Sequence, residues 1–171
     1  MKEKGFTLAE LMVTVAIAAI LVTAAVPSFQ YLINSNVLTT DTNRFVLLVT
    51  LARSEAIKRR AVVSFCGGDA TNGCNGNWIN GQILFVDGNA NCALDKGEEI
   101  IRFGEGFKGD NPIAAVKCIS YNALGVKSQG ADNGKPDFTI CNPNLPSENV
   151  REIVISPAGY KSVNKKTQVG C

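Results

Sequence analysis

Glu10 is the one carboxylate in a stretch, Phe6 to Val26, that is otherwise apolar or weakly polar. An ionised carboxylate in lipid costs at least about 2.5 kcal/mol, so an acid in such a run needs a partner and a purpose. Two further constellations have spacings that could do chemistry. Asp87, Asn89, Asn91, Asp95 and Glu98 place oxygen donors at positions 1, 3, 5, 9 and 12 of a calcium-loop pattern. Cys92 stands where that pattern has glycine, and strand-like flanks replace helices, so a polar hairpin loop is the reading preferred and no metal is assigned. Near the C-terminus Tyr160 could stack on a base while Lys161, Lys165 and Lys166 neutralise phosphates; a solvated tail is the plainer reading. The acidic pairs Asp132 with Asp137 and Glu98 with Glu99 sit in turn-like surroundings and read as surface solvation. The chain contains no histidine, which removes Ser-His-Asp, Cys-His and most zinc chemistry. With no clustered nucleophile and base either, neither enzyme activity nor a catalytic residue nor a cofactor is expected.

The run from Phe6 to Val26 would span about 31 Å as a helix, enough to cross a bilayer core. Lys2 and Lys4 flank its start, and after Glu10 the next charged residue is Asp41. The positive-inside rule keeps that start in the cytoplasm, with the remainder on the far side of the membrane. A secretory signal peptide, cleaved near Ala24-Ala25-Val26, is the alternative. The polar turn Gly5-Phe6-Thr7 before the run, and Glu10 within it, argue against that alternative.

Lys4-Gly5-Phe6-Thr7-Leu8-Ala9-Glu10-Leu11 resembles the class III signal of type IV pilins and type II secretion pseudopilins. The resemblance implies that a prepilin peptidase cuts after Gly5 and N-methylates Phe6. It implies that Glu10 is the assembly residue, with the new amine of a neighbouring subunit's Phe6 as a chemically suitable partner. The expected partners are therefore other pilins or pseudopilins through the helix, prepilin peptidase and the inner membrane. The expected destination is a pilus or pseudopilus.

Pro27 follows the apolar run, and the pattern then turns amphipathic. Phe29, Ile33 and Val37 step by four, and Phe45, Leu48, Val49, Ala52 and Ala56 continue at helical spacing. One helix is predicted from about Phe6 to Arg60, bent near Pro27 and loosened at the weak helix formers Thr39 to Asn43. Lys58-Arg59-Arg60 at its end suits the helix C-terminus, with a phosphate-binding patch as the sharper alternative. Strands are predicted at 61–66, within 78–87, and at 99–103, 113–121, 138–141 and 152–156, with turn signals between them. Short strands without intervening helices predict an antiparallel sheet or pair of sheets against one helix face, an α+β fold. The organisation is a leader over 1–5, a transmembrane helix over 6–26, its amphipathic continuation over 27–60 and a β-rich domain over 61–171.

Six cysteines, Cys66, Cys74, Cys92, Cys118, Cys141 and Cys171, all follow the apolar run. An even count in an exported domain reads as three disulfides, and six cysteines allow fifteen pairings. Cys66 and Cys74 bracket a glycine-rich loop and are expected to pair. Joining Cys141 to Cys171 would tie down the tail. Cys92 and Cys118 would then remain for each other. The formal net charge is only +2, which does not predict nucleic-acid binding by bulk electrostatics.

Leu51 to Arg59, a strand, then Trp78 and Gly81-Gln82-Ile83-Leu84-Phe85-Val86-Asp87 resemble the FimT/FimU–GspH branch of the pilin family. The likeness returns at Ile153-Val154-Ile155-Ser156-Pro157-Ala158-Gly159. It implies a pilin fold and a minor pilin, a structural subunit of pilus assembly or initiation. A type II secretion minor pseudopilin and a DNA-binding competence pilin are the alternatives. Some FimT-type members carry Gly-Arg-x-Arg after Ser-Pro-Ala; the matching positions here are Gly159-Tyr160-Lys161-Ser162, with both arginines missing.

Overall fold

The computed structural model describes residues 5, 7–107, 113–131 and 135–168. Helix α1 runs from Leu8 to Arg59, 52 residues or about 78 Å. Thr7 caps its start, its hydroxyl accepting a hydrogen bond from the Glu10 amide at 3.2 Å. Arg60 ends it in the left-handed conformation, φ 53° and ψ 39°, its amide reaching the Ala56 and Ile57 carbonyls. Contrary to the loosening expected near residue 40, the helix is continuous through Pro27 and through 39–43. Burial of Leu38, Asp41, Thr42 and Phe45 holds that stretch, where weak propensity alone would not. The Thr39 and Thr42 hydroxyls bond back to the Ser35 and Leu38 carbonyls at 2.8 and 2.6 Å.

Among the described residues ten strands follow, forming two antiparallel sheets. The larger has the order β4 (Ile100–Glu105), β3 (Gly81–Val86), β1 (Val63–Asp69), β6 (Cys118–Tyr121), β7 (Lys127–Gln129), with β2 (Gly73–Cys74) paired to the end of β1. The smaller has the order β10 (Lys161–Lys166), β9 (Val150–Ile155), β8 (Phe138–Cys141), β5 (Ile113–Ala115). The strand expected over 113–121 is therefore two strands in different sheets. The chain leaves one sheet at Val116-Lys117, where the Val116 amide bonds to the Asp137 carbonyl and the Val116 carbonyl accepts from the Trp78 indole.

The helix buries Leu38, Phe45, Leu48, Val49, Ala52 and Ala56, one stripe at three- and four-residue steps. The stripe meets Val63, Phe65, Leu84, Ile119 and Tyr121 of the larger sheet and Phe138, Ile140, Ile153 and Ile155 of the smaller, so helix and sheets share one core. Phe45 is its centre: it stacks on Phe138 with centroids 3.9 Å apart and meets Phe65 and Trp78 at 5.2 and 5.5 Å. Gly67 passes so close to Trp78 that a Cβ there would lie 2.8 Å from the indole ring. A second, smaller cluster of Cys66, Ile83, Phe85, Cys92 and Cys118 covers part of the larger sheet.

Cys66 pairs with Cys74 and Cys92 with Cys118, as expected from their positions. Cys141 is also disulfide-bonded. Its expected partner, Cys171, lies outside the described residues, as do Phe6 and Asp132.

Candidate functional site

From Leu8 to Val26 every helix residue whose side chain is described is exposed, and the next turns, at Pro27, Gln30 and Tyr31, share an open cleft with Asn144 and Pro146. Leu11, Val15, Ile20, Val22 and Phe29 are each more than half exposed. An 18-residue window of this part reaches a mean hydropathy of 2.3 with none of it buried. An apolar face of this size left in water would be unfavourable by tens of kcal/mol at about 25 cal/mol per Å². Lipid or other apolar chains must cover it. Glu10 lies in the first turn of this segment, exposed, and no described residue forms an ion pair with it. Its backbone amide is capped by Thr7, which leaves the carboxylate as the unsatisfied group. Gly5 stands in open space, with nothing within 4 Å of where a Cβ would be.

Two of the three cations at the other end of the helix, Lys58 and Arg59, are paired. Arg59 donates to Glu55 at 2.6 Å and to Glu99 at 2.8 Å, and Lys58 lies 3.6 Å from Glu55. The hydrogen bond from Arg59 holds the Glu55 carboxyl below the usual range. Two carboxylates already fill the geometry in which Arg59 would hold a phosphate, and Glu99, though largely solvated, is also an ion-pair partner.

The loop over 87–98 is closed by its own hydrogen bonds. Asp87, fully buried, accepts from the Ser64 hydroxyl at 2.6 Å and from the Asn91 and Cys92 amides at 3.1 and 2.9 Å. Asp95 accepts from the Asn89 and Asn91 side chains, which keep its carboxyl below the usual range. Glu98 accepts from the Gly88 and Asp95 amides. Cys92, at the motif's glycine position, itself takes φ 60° and is held there by Cys118. The oxygens that matched a calcium pattern thus serve as acceptors for N–H groups of the same loop.

The C-terminal cations lie on or beside β10, all exposed. Lys165 pairs with Glu148 at 3.0 Å, Lys166 with Glu152 at 2.7 Å, and Lys161 donates to the Thr50 hydroxyl at 2.7 Å. Tyr160 is two-thirds exposed, and the Arg53 guanidinium sits 4.5 Å from its ring centroid. Arg53 also donates to the Gly125 and Ala158 carbonyls at 3.0 and 3.2 Å. Those carbonyls turn toward it because Gly125 and Gly159 adopt φ +71° and +82°, and a Cβ on Gly159 would lie 2.2 Å from the Gly125 oxygen. Sequence reasoning missed Arg53, which lies one hundred and seven residues from Tyr160 in the chain; only the fold joins them.

It also misread Asp137. That residue is not solvated but fully buried, accepting from Lys127 at 3.1 Å, Ala131 at 2.7 Å and Ile155 at 2.8 Å. Lys127 is in the larger sheet and Ile155 in the smaller, so one carboxylate joins the two. Its neighbour Tyr121 has a buried hydroxyl without a partner, and burial pushes that phenol's pKa well up.

A long helix, exposed and apolar in its first part and docked in its second on antiparallel sheets, is the pilin architecture. Two crystal structures of the type IV minor pilin FimU from Pseudomonas aeruginosa superpose on the chain with TM-scores of 0.55 and 0.53. They cover 78% and 76% of this chain and 95% and 97% of theirs, at 23% and 22% identity. Residues 1–26 match the family described as prokaryotic N-terminal methylation motif. Residues 41–159 match the family described as Type II transport protein GspH, and the chain belongs to that family of pilin- and pseudopilin-like proteins. The pilin-like protein PilA1 of Thermus thermophilus is 37% identical over 113 residues, 62% of this chain. The match spans 64% of that relative's length.

Proposed function

We propose that this chain is a minor type IV pilin. In this reading it is a structural subunit held in the inner membrane by residues 6–26, with its N-terminus cytoplasmic and its disulfide-containing domain periplasmic, and then built into a pilus. Prepilin peptidase removes residues 1–5 and methylates Phe6. Other pilins bind the exposed helix, and Glu10 takes the amine of a neighbouring Phe6 as its counter-ion, which fixes the axial register between subunits. The observation that carries the reading is the single carboxylate, five residues beyond Gly5, in an apolar helix segment that no described residue buries. An intrabilayer charge pair leaves a large penalty when one partner is removed. Glu10→Gln should therefore lower incorporation into sheared filaments by about ten-fold or more while leaving cleavage after Gly5 intact. Mass spectrometry of the membrane-extracted chain should find methylated Phe6 as the first residue. Retention of Met1, or incorporation unchanged in Glu10→Gln, would overturn the assignment.

The same geometry serves the equivalent pseudopilin of a type II secretion system, the reading favoured by the family description of residues 41–159. Deletion separates the two: loss of pili and twitching supports the pilus, loss of secreted enzymes the secretion system. A DNA-contact role for Tyr160, Lys161, Lys165 and Lys166 gains one supporting observation, the Arg53 guanidinium beneath the exposed Tyr160 ring. Glu148 and Glu152 beside two of the lysines work against it. Salt-dependent retention of duplex DNA, lost in Tyr160→Ala with Lys161→Ala, is the expected result if the tail makes that contact.

A further inference from the structure

A cavity of about 290 Å³ opens between helix α1 and strand β4, lined by Arg44, Leu48, Gln82, Arg102, Gly104 and Glu105 among others. Among the described residues β4 is the outermost strand of the larger sheet, so one edge of its backbone is unpaired. The cavity combines three features that together suit a ligand. The Gln82 side chain is 3% exposed, and its Oε1 has no hydrogen-bond partner. A buried amide oxygen left unpaired is unfavourable, and a donor supplied from outside would relieve that. Gly104, opposite Gln82 in the ladder, leaves that side chain uncovered: a Cβ there would lie 3.2 Å from Gln82 Cβ and 3.3 Å from Leu48 Cδ1. Arg102 is exposed at the rim, with no carboxylate partner among the described residues, while Arg44 is bound to Glu105 at 2.7 Å. Leu47 on the helix side and Phe103 on the opposite face of β4, 59% and 48% exposed, flank the open edge with apolar surface.

We infer that this cleft is a docking site for an extended, acidic segment of a different pilin-like subunit. The segment adds to the open edge of β4, sets a carboxylate against Arg102 and a side-chain N–H donor at Gln82 on the helix face, and lays apolar side chains on Leu47 and, on the opposite face, on Phe103. Main-chain pairing supplies affinity in such strand addition, and the charge and the pocket select the partner. The occupant is acidic because the unmatched charge at the rim is positive. It is a peptide because an open strand edge calls for backbone donors and acceptors, and the alternating side chains of an added strand reach both faces of β4. The inference rests on the pilin reading above, but concerns a surface far from the apolar helix.

The test uses the full chain in its host membrane, with the photocrosslinker p-benzoylphenylalanine replacing Phe103. Irradiation should give an adduct with another pilin-like subunit, mapped to a segment containing Asp or Glu. Arg102→Glu should lower the yield about ten-fold, and replacing the mapped acid by Arg should restore it. Gly104→Ala, which covers Gln82, should lower it with Arg102 intact. No adduct, an adduct only with lipid or a second copy of this chain, a segment without a carboxylate, or an unchanged yield in Arg102→Glu would each overturn the inference. The methylated N-terminus and the filament fraction are read from the same samples. A chain that is processed and incorporated but not crosslinked sinks this inference alone; a chain that keeps Met1 sinks the pilin reading instead.

Discussion

Asp137 shows how a residue's role follows from where the chain crosses itself. In the sequence it stands in Lys135-Pro136-Asp137 beside glycine and asparagine, a composition that reads as a solvated turn. In the fold its two oxygens accept from the Lys127 ammonium and from the Ala131 and Ile155 amides, and no part of it is exposed. Removing one member of a buried, hydrogen-bonded ion pair leaves the other charge uncompensated, at a cost of about 3–5 kcal/mol. Asp137→Ala should therefore lower the urea midpoint of unfolding by that equivalent. Asp137→Asn, which loses the charge but can keep an acceptor, should do less damage. Glu10 was legible for the opposite reason. Its meaning depends only on local contrast, one charge in an apolar run, and needs no knowledge of tertiary contacts. Arg53 was illegible because nothing near it in sequence marks the Tyr160 ring or the two glycine-turned carbonyls that hold it.

The elements divide along the same line. Strands β1, β3, β4, β8 and β9 were readable because apolar and β-branched residues cluster there between turn signals. Strands β2, β7 and β10 were not: two or three residues, or the wholly exposed Lys161-Ser162-Val163-Asn164-Lys165-Lys166, carry no period-2 pattern. They are edge strands specified by their neighbours. β10 is held partly by Lys165 on Glu148, whose carboxyl that contact keeps below the usual range. A depressed carboxyl contributes stability that is present above the ordinary glutamate pKa and is lost as pH falls through the lower, folded-state value. Both partners are more than half exposed, so the contribution is small and screened by salt. Hydrogen exchange should accordingly show protection of β10 amides falling on acidification before that of β1 or β9, and less so in high salt. At the helix end, Arg60 holds a left-handed conformation that costs a side-chain-bearing residue about 1 kcal/mol. Arg60→Gly should raise stability by up to that amount, read as a higher thermal midpoint.

Over the whole molecule the helix is two objects joined end to end. Its first part is exposed, while every described helix residue that is buried lies at or beyond Leu38. The hydrogen bond from Asn142 to the Asn34 carbonyl marks where the domain begins to hold it. A chain begun at Ser28 keeps the shared core, the aromatic cluster around Phe45 and the cysteines, and loses only surface that the domain never uses. It should be soluble and monomeric without detergent, and should unfold cooperatively with the same urea midpoint as the domain of the detergent-solubilised full chain. The Cys92–Cys118 bridge, 26 residues apart, closes the loop that carries β4 against the end of β6. Loop-closure entropy sets its contribution at about 3.5 kcal/mol. Replacing both cysteines by serine in the shortened chain should lower stability by that order. It should also loosen the 87–98 loop first, since Cys92 supplies both the bridge and an amide to Asp87. A midpoint that does not move would mean that the acceptors of Asp87, Asp95 and Glu98 hold this loop closed without the bridge.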